Sequence, residues 1–170
     1  MLDSMKAAIF DMDGTLLDSM PSWRGLNVAY VRSLGFEPTR EQEEDLYSLT
    51  GMLVIPYLKE NFGVDADFGD MLERAVGGME PVYLAGMAHK PGAAAYLKRL
   101  GERGIKRVVA TATPARLALT ALNASGLTPY LDYIYSTEMI GGSKREPQTF
   151  DRLCALIGEE KKNCVMFEEA

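Results

Sequence analysis

Residues 6–19 read Lys6-Ala7-Ala8-Ile9-Phe10-Asp11-Met12-Asp13-Gly14-Thr15-Leu16-Leu17-Asp18-Ser19. The short apolar run at 6–10 suits a buried strand. It passes directly into two carboxylates, a glycine and a threonine. Asp-Gly is common turn chemistry, so these acids taken alone fit a turn or a helix N-cap as well as they fit a reactive site. The surrounding pattern has to decide between the two.

From about residue 20 to 87 the pattern is helical, with no strand signal and no internal repeat. Trp23, Leu26, Tyr30 and Leu34 share one helical face, and Gly35 is a stop. Thr39 with Gln42 three residues on reads as a capping box for a second helix ending near Leu49. Leu58 and Phe62 mark a third helix, with Pro56 in its first turn. Met71, Leu72, Ala75 and Met79 mark a fourth, weakened by Gly77, Gly78 and Pro81.

From Pro91 the chain alternates. A helix carrying Ala94, Leu97 and Leu100 closes at Gly104, and a strand follows at 106–110. Thr113 and Pro114 read as N-cap and first residue of the next helix. Further strands are expected at 132–136 and 163–167, with a helix from Pro147 to Gly158 between them. Alternating strands and helices imply right-handed crossovers and a parallel, Rossmann-like α/β sheet. Such sheets place chemistry beyond the carboxyl ends of their strands. The residues there are Asp11 and Asp13, Thr111, Lys144 after a loop, and Glu168 with Glu169. If the strands are neighbours, these clusters share one rim.

The 170 residues suffice for one domain with a sizeable core, or a core with an insert. A hydrophobic share of 47% with 25% charged residues is ordinary globular composition. Apolar runs are far shorter than the roughly 20 residues of a membrane-spanning helix. The first residues place an acid before their one lysine and show no cleavage site, so no signal peptide is expected. A net charge of −6 without a basic run argues against nucleic acid and acidic membranes as partners. Cys154 and Cys164 form no CxxC and read as core thiols. A cytoplasmic monomer is expected.

The rim residues suit phosphoryl transfer. That reaction needs an in-line nucleophile, a metal ion and neutralisation of the equatorial oxygens. A carboxylate can serve as the nucleophile, forming an aspartyl-phosphate. Against a phosphate dianion it needs screening, because like charges at about 4 Å cost several kcal/mol at an effective dielectric near 20. Mg²⁺, which prefers hard oxygen ligands, and a lysine supply that screening. A second acid nearby can protonate the leaving oxygen and then activate water. A threonine hydroxyl can hydrogen-bond a phosphoryl oxygen.

The stretch Asp11 to Ser19 resembles the first motif of the haloacid dehalogenase-like (HAD) phosphohydrolases, in the subgroup of phosphoglycolate phosphatase and β-phosphoglucomutase. Val108-Val109-Ala110-Thr111 resembles the second motif. Lys144-Arg145-Glu146-Pro147-Gln148-Thr149-Phe150 resembles the third, and Val165-Met166-Phe167-Glu168-Glu169 the fourth. The resemblance implies a Mg²⁺-dependent phosphatase of a small phosphorylated metabolite. Asp11 would be the nucleophile, Asp13 the general acid and base, and Thr111 and Lys144 the phosphate partners. Mg²⁺ would sit on the Asp11 carboxylate, the Asp13 carbonyl, and Glu168 and Glu169. It also implies a core of residues 1–16 with 89–170 and a helical cap at 17–88, whose closure excludes water and sets specificity.

The chain departs from the family in two places. The fourth motif usually reads Glu-Asp or Gly-Asp, whereas Glu169 is one methylene longer. The chain also stops at Ala170, where relatives continue with a helix and a further edge strand, so the C-terminal edge of the core is expected to be missing. The second reading is therefore a truncated or degenerate member with a binding or regulatory role and no turnover. Within the family, a dehalogenase lacks the second Asp, and a mutase carries a cap His and Arg where this chain has residues near Trp23 and Val54. A phospho-accepting receiver domain carries its acceptor after the third strand instead of the first.

Overall fold

In the computed structural model residues 4–49 and 51–169 are described. Among the described residues four strands and eight α-helices follow in chain order: β1 Ala7–Phe10, α1 Met20–Ser33, α2 Arg40–Ser48, α3 Val54–Phe62, α4 Phe68–Leu84, α5 Ala93–Glu102, β2 Lys106–Thr111, α6 Ala115–Ala124, β3 Tyr133–Ser136, α7 Thr137–Ile140, α8 Pro147–Ile157 and β4 Cys164–Phe167. The chain forms two compact units, Met1–Asp18 with Tyr83–Ala170, and Ser19–Val82.

The first unit is an α/β layer structure. Its sheet is parallel throughout, in the order β3-β2-β1-β4. β1 is therefore central, and all four of its residues are buried, as expected of a strand covered on both faces. Side chains alternate across it. Ala7 and Ile9 join Val108, Ala110, Ile140, Leu153 and Ile157 in one core. On the opposite face Phe10 stacks on Phe167 with ring centroids 4.7 Å apart, and Tyr96 of α5 meets both rings edge-on. The β1–β4 pairing continues one step past the strands, where Asp11 N–H donates to the Phe167 carbonyl at 2.9 Å. That step fixes the end of β1 beside the end of β4.

The register of β3 is set by an ion pair. Arg107 donates through Nε and Nη2 to the two carboxylate oxygens of Asp132 at 2.9 and 2.7 Å, and its backbone N–H adds a third bond at 2.8 Å. Asp132 N–H returns a bond to the Arg107 carbonyl at 2.8 Å. The β3 ladder then starts from the pairing of Tyr133 with Val108.

The second unit is helical. Thr39 and Gln42 make both bonds of the expected capping box, at 3.3 and 2.9 Å. α1 differs from its sequence reading. Its buried residues are Asn27, Val28 and Val31, while Leu34 is exposed. The Asn27 amide explains the rotation, because Nδ2 donates to the Leu46 and Leu49 carbonyls at 2.9 and 3.0 Å. Carbonyls at a helix C-terminus lack intrahelical partners, so a polar residue is drawn to the face that packs on α2. Val28 and Val31 cluster there with Leu46, Val54, Leu58 and Met71. α4 runs continuously through Gly77, Gly78 and Pro81. Gly78 lets Leu26 pack close: a Cβ there would lie 2.7 Å from Leu26 Cδ2, so that methyl would have to shift. Among the described residues no helix is long and apolar enough to cross a membrane.

Arg107 holds the Asp132 carboxyl below its ordinary value of 3.8, chiefly through the side-chain hydrogen bond, against the raising effect of burial. The pair therefore stabilises the fold above that ordinary value, and the contribution is lost as pH falls through the lowered native value. Asp132→Asn should cost about 1 kcal/mol in urea unfolding at neutral pH, since the pair is partly screened by solvent. The gap to the parent should close on acidification; a gap that does not shrink contradicts this assignment.

Candidate functional site

The four strand ends bring their polar residues together in two groups within the first unit. The first group centres on Lys144. Its ammonium donates to Asp11 Oδ1, and to Glu168 Oε1 at 3.2 Å. The side chains of Asp11 and Lys144 are only 15% and 16% exposed, against 49% for Glu168. Asp11 is placed by the end of β1, and Glu168 by the end of β4 next to it. Lys144 arrives from the loop between α7 and α8. There Glu146 N–H donates to the Ser143 carbonyl at 2.9 Å and Arg145 N–H to Ser143 Oγ at 3.3 Å, closing a tight turn around the lysine.

The second group centres on Asp13. Its Oδ1 accepts from the Tyr83 hydroxyl at 2.6 Å, and its Oδ2 from the Thr113 hydroxyl at 2.7 Å. Thr113 N–H donates to Thr111 Oγ1 at 3.0 Å, which links the ends of β1 and β2. Thr111, Thr113 and Tyr83 are buried. The loop that presents both acids is held by its own backbone. Leu16 and Leu17 N–H donate to the Met12 carbonyl at 3.0 and 2.9 Å, and Gly14 N–H to the Leu17 carbonyl at 2.9 Å. Gly14 sits at φ 82°, a conformation that only glycine adopts without cost.

Asp11, Lys144 and Glu168 thus meet directly, and Asp13 and Thr111 meet through Thr113. Glu169 lies exposed one residue beyond Glu168. The sequence reading of Thr113 as a helix N-cap is corrected. α6 begins at Ala115 with Pro114 in the cap position and no side-chain cap bond. The hydroxyl goes to Asp13 instead, because a bond to a carboxylate is stronger than one to a neutral partner. The other residue missed in the sequence is Tyr83, since no spacing pattern ties position 83 to position 13. Thr113 was traceable, because it stands two residues beyond Thr111 at a strand end.

Burial pushes the Asp11 carboxyl above its ordinary value of 3.8. The Lys144 hydrogen bond and charge and the Met12 backbone pull it down, and burial prevails. A divalent cation fits this first group. Two carboxylates on one ammonium lie close enough to share a cation, and their donors are hard oxygens. Among the described residues no three His, Cys, Asp or Glu side chains gather as a cluster. Mg²⁺ can bind through one or two carboxylates while keeping several waters, so Asp11 and Glu168 supply donors of the right kind.

A family model described as haloacid dehalogenase-like hydrolase matches residues 5–169. The chain is 24% identical over 166 residues to the phosphorylated carbohydrates phosphatase of Thermotoga maritima, covering 98% of this chain and 77% of that protein. It is 30% identical over 179 aligned residues to a phosphoglycolate phosphatase of Rhodospirillum rubrum, covering 95% and 70%. The structure of CbbY from Rhodobacter sphaeroides in complex with phosphate superposes with a TM-score of 0.74 at 21% identity, covering 98% and 78%.

Because Lys144 is the main influence holding the Asp11 carboxyl down, Lys144→Met in metal-free protein should raise its titration midpoint further. ¹³C-carboxyl NMR measures this directly, and an unchanged midpoint would show that the ammonium does not govern Asp11.

Proposed function

The chain belongs to the haloacid dehalogenase-like hydrolases and is a phosphatase of that family; on that premise we propose that it hydrolyses a small phosphorylated metabolite through an aspartyl-phosphate on Asp11, with Mg²⁺ as cofactor. The observation that carries this reading is the contact of Lys144 with Asp11 and Glu168. It is an arrangement of one cation among acids at a strand-end rim, as phosphoryl transfer requires. The names of the relatives, for phosphorylated carbohydrates and phosphoglycolate, support a sugar phosphate or glycolate-type substrate.

In this mechanism an Asp11 carboxylate oxygen attacks phosphorus while the bond to the leaving oxygen breaks. Asp13 gives that oxygen its proton, and the alcohol departs. Asp13 then takes a proton from water as the water attacks the aspartyl-phosphate, releasing inorganic phosphate and restoring Asp11. Lys144 and the Thr111 hydroxyl neutralise and orient the equatorial oxygens. Asp11, the Asp13 carbonyl and Glu168 would hold Mg²⁺, with Glu169 as a further candidate. The ion, when bound, screens the attacking carboxylate from the phosphate dianion. Residues 17–88 serve as the cap of such an enzyme, and the compact helical unit at Ser19–Val82 supports that part of the reading.

The test is phosphate release from p-nitrophenyl phosphate and a panel of sugar phosphates, polyol phosphates and phosphoglycolate, with Mg²⁺ and with EDTA. Turnover should require Mg²⁺ and vanish in Asp11→Asn. Asp13→Ala should slow it by about 10² or more. Well-folded protein that turns over nothing favours the binding or regulatory reading, and activity in Asp11→Asn excludes that residue as nucleophile.

A further inference from the structure

Asp13 is held in a way that its assigned chemistry does not by itself explain. Two hydroxyls, one from Tyr83 at 2.6 Å and one from Thr113 at 2.7 Å, occupy one oxygen each of its carboxylate. Tyr83 is fully buried in the last turn of α4, and its partner lies 70 residues away in sequence. Thr113 is buried in the loop after β2, and its own N–H is fixed on Thr111. Both anchors are therefore set by packed elements rather than by mobile surface side chains.

We propose that Tyr83 is the positioning residue for Asp13, clamping the carboxyl group with Thr113 so that it faces the leaving oxygen of the substrate. The inference rests on the reading of Asp13 as general acid and base. Three features of the geometry support it. The two bonds approach different oxygens, so they fix the rotation of the carboxylate plane as well as its position. An ionised carboxylate offers about four acceptor positions, so these two anchors do not saturate it. A hydroxyl can also accept as well as donate. Both hydroxyls can go on donating when the carboxyl is protonated, because a carboxylic acid retains acceptor positions, so the clamp leaves the acid's own proton free for the leaving oxygen. A group that must give and later take a proton in one turnover needs such a mount, because loss of orientation of about 1 Å costs roughly 10²-fold in rate.

Tyr83→Phe removes only the hydroxyl, and Thr113→Val replaces the second anchor at similar volume. Both are compared with the parent and with Asp13→Ala on two substrates: p-nitrophenyl phosphate, whose leaving group departs as a stabilised anion, and the alkyl phosphate turned over fastest in the panel above. Thermal unfolding of each variant establishes that it is folded. A positioning role predicts that Tyr83→Phe lowers the single-turnover rate of leaving-group release, which isolates the step before aspartyl-phosphate hydrolysis, about 10-fold on the alkyl phosphate, with little effect on that rate for the aryl phosphate. Thr113→Val should follow the same pattern, and Asp13→Ala should show it more strongly. Equal losses on both substrates, or no loss on either, overturn the proposal if Asp13→Ala still discriminates between them. If Asp13→Ala itself does not discriminate, the general-acid reading fails, and the clamp fails with it. Should Tyr83→Phe not fold, Thr113→Val decides the matter by the same comparison.

Discussion

The site depends on one ammonium group placed between two acids. Asp11 and Glu168 follow adjacent strands, and without a cation between them their like charges would oppose the closure of the rim. At about 4 Å such a repulsion amounts to several kcal/mol at an effective dielectric near 20. Lys144 answers it by bonding to both. Much of the surrounding structure serves that contact. β1 is buried on both faces and carries Asp11 to the rim, and the bond from Asp11 N–H to the Phe167 carbonyl holds β4 alongside. The turn at 143–146 delivers the lysine, and α8 begins immediately after it.

The two aspartates of the first loop differ in their partners. Asp11 faces a cation, and burial still lifts its carboxyl above the ordinary value. Asp13, two residues on, faces two hydroxyls. Assigning different tasks to two carboxylates through different surroundings is a general device of acid–base enzymes. Here the surroundings come from opposite parts of the sheet. β4 and the α7–α8 loop shape the environment of Asp11, while the end of β2 and the last turn of α4 shape that of Asp13. The loop between the aspartates is short and closed by its own backbone bonds, so neither side chain can move far without disturbing the other.

Much of this was legible in the sequence, because the signals were local. The run at 6–10 and the period of the later helices pointed to the parallel sheet, and the rule for strand ends selected Asp11, Asp13, Thr111, Lys144, Glu168 and Glu169, of which Glu169 lies exposed. The capping box at Thr39 and Gln42 was readable because both partners lie within one turn. Long-range partners were not readable. The Asn27 amide anchors the buried Asn27–Val28–Val31 face of α1, but its acceptors lie 19 and 22 residues away. Thr113 followed by Pro114 has the form of a helix start, yet its hydroxyl finds a carboxylate 100 residues away in sequence. Tyr83 follows Pro81 in a stretch whose glycines weaken any helical reading, although α4 continues to Leu84. In each case a polar side chain chose its partner through the tertiary fold, and sequence spacing carries no record of that.

The central proposal is that Asp11 accepts the phosphoryl group with Mg²⁺ beside it, and beryllofluoride tests this without requiring knowledge of the substrate. BeF₃⁻ on a carboxylate mimics an aspartyl-phosphate. Thermal unfolding of the parent and of Asp11→Asn would be followed with BeF₃⁻ and Mg²⁺ together and with each alone. A ligand bound only to the native state raises the unfolding temperature by mass action. The account predicts a rise in the parent that needs both components and is absent in Asp11→Asn. No rise in the parent, or an equal rise in the variant, contradicts it.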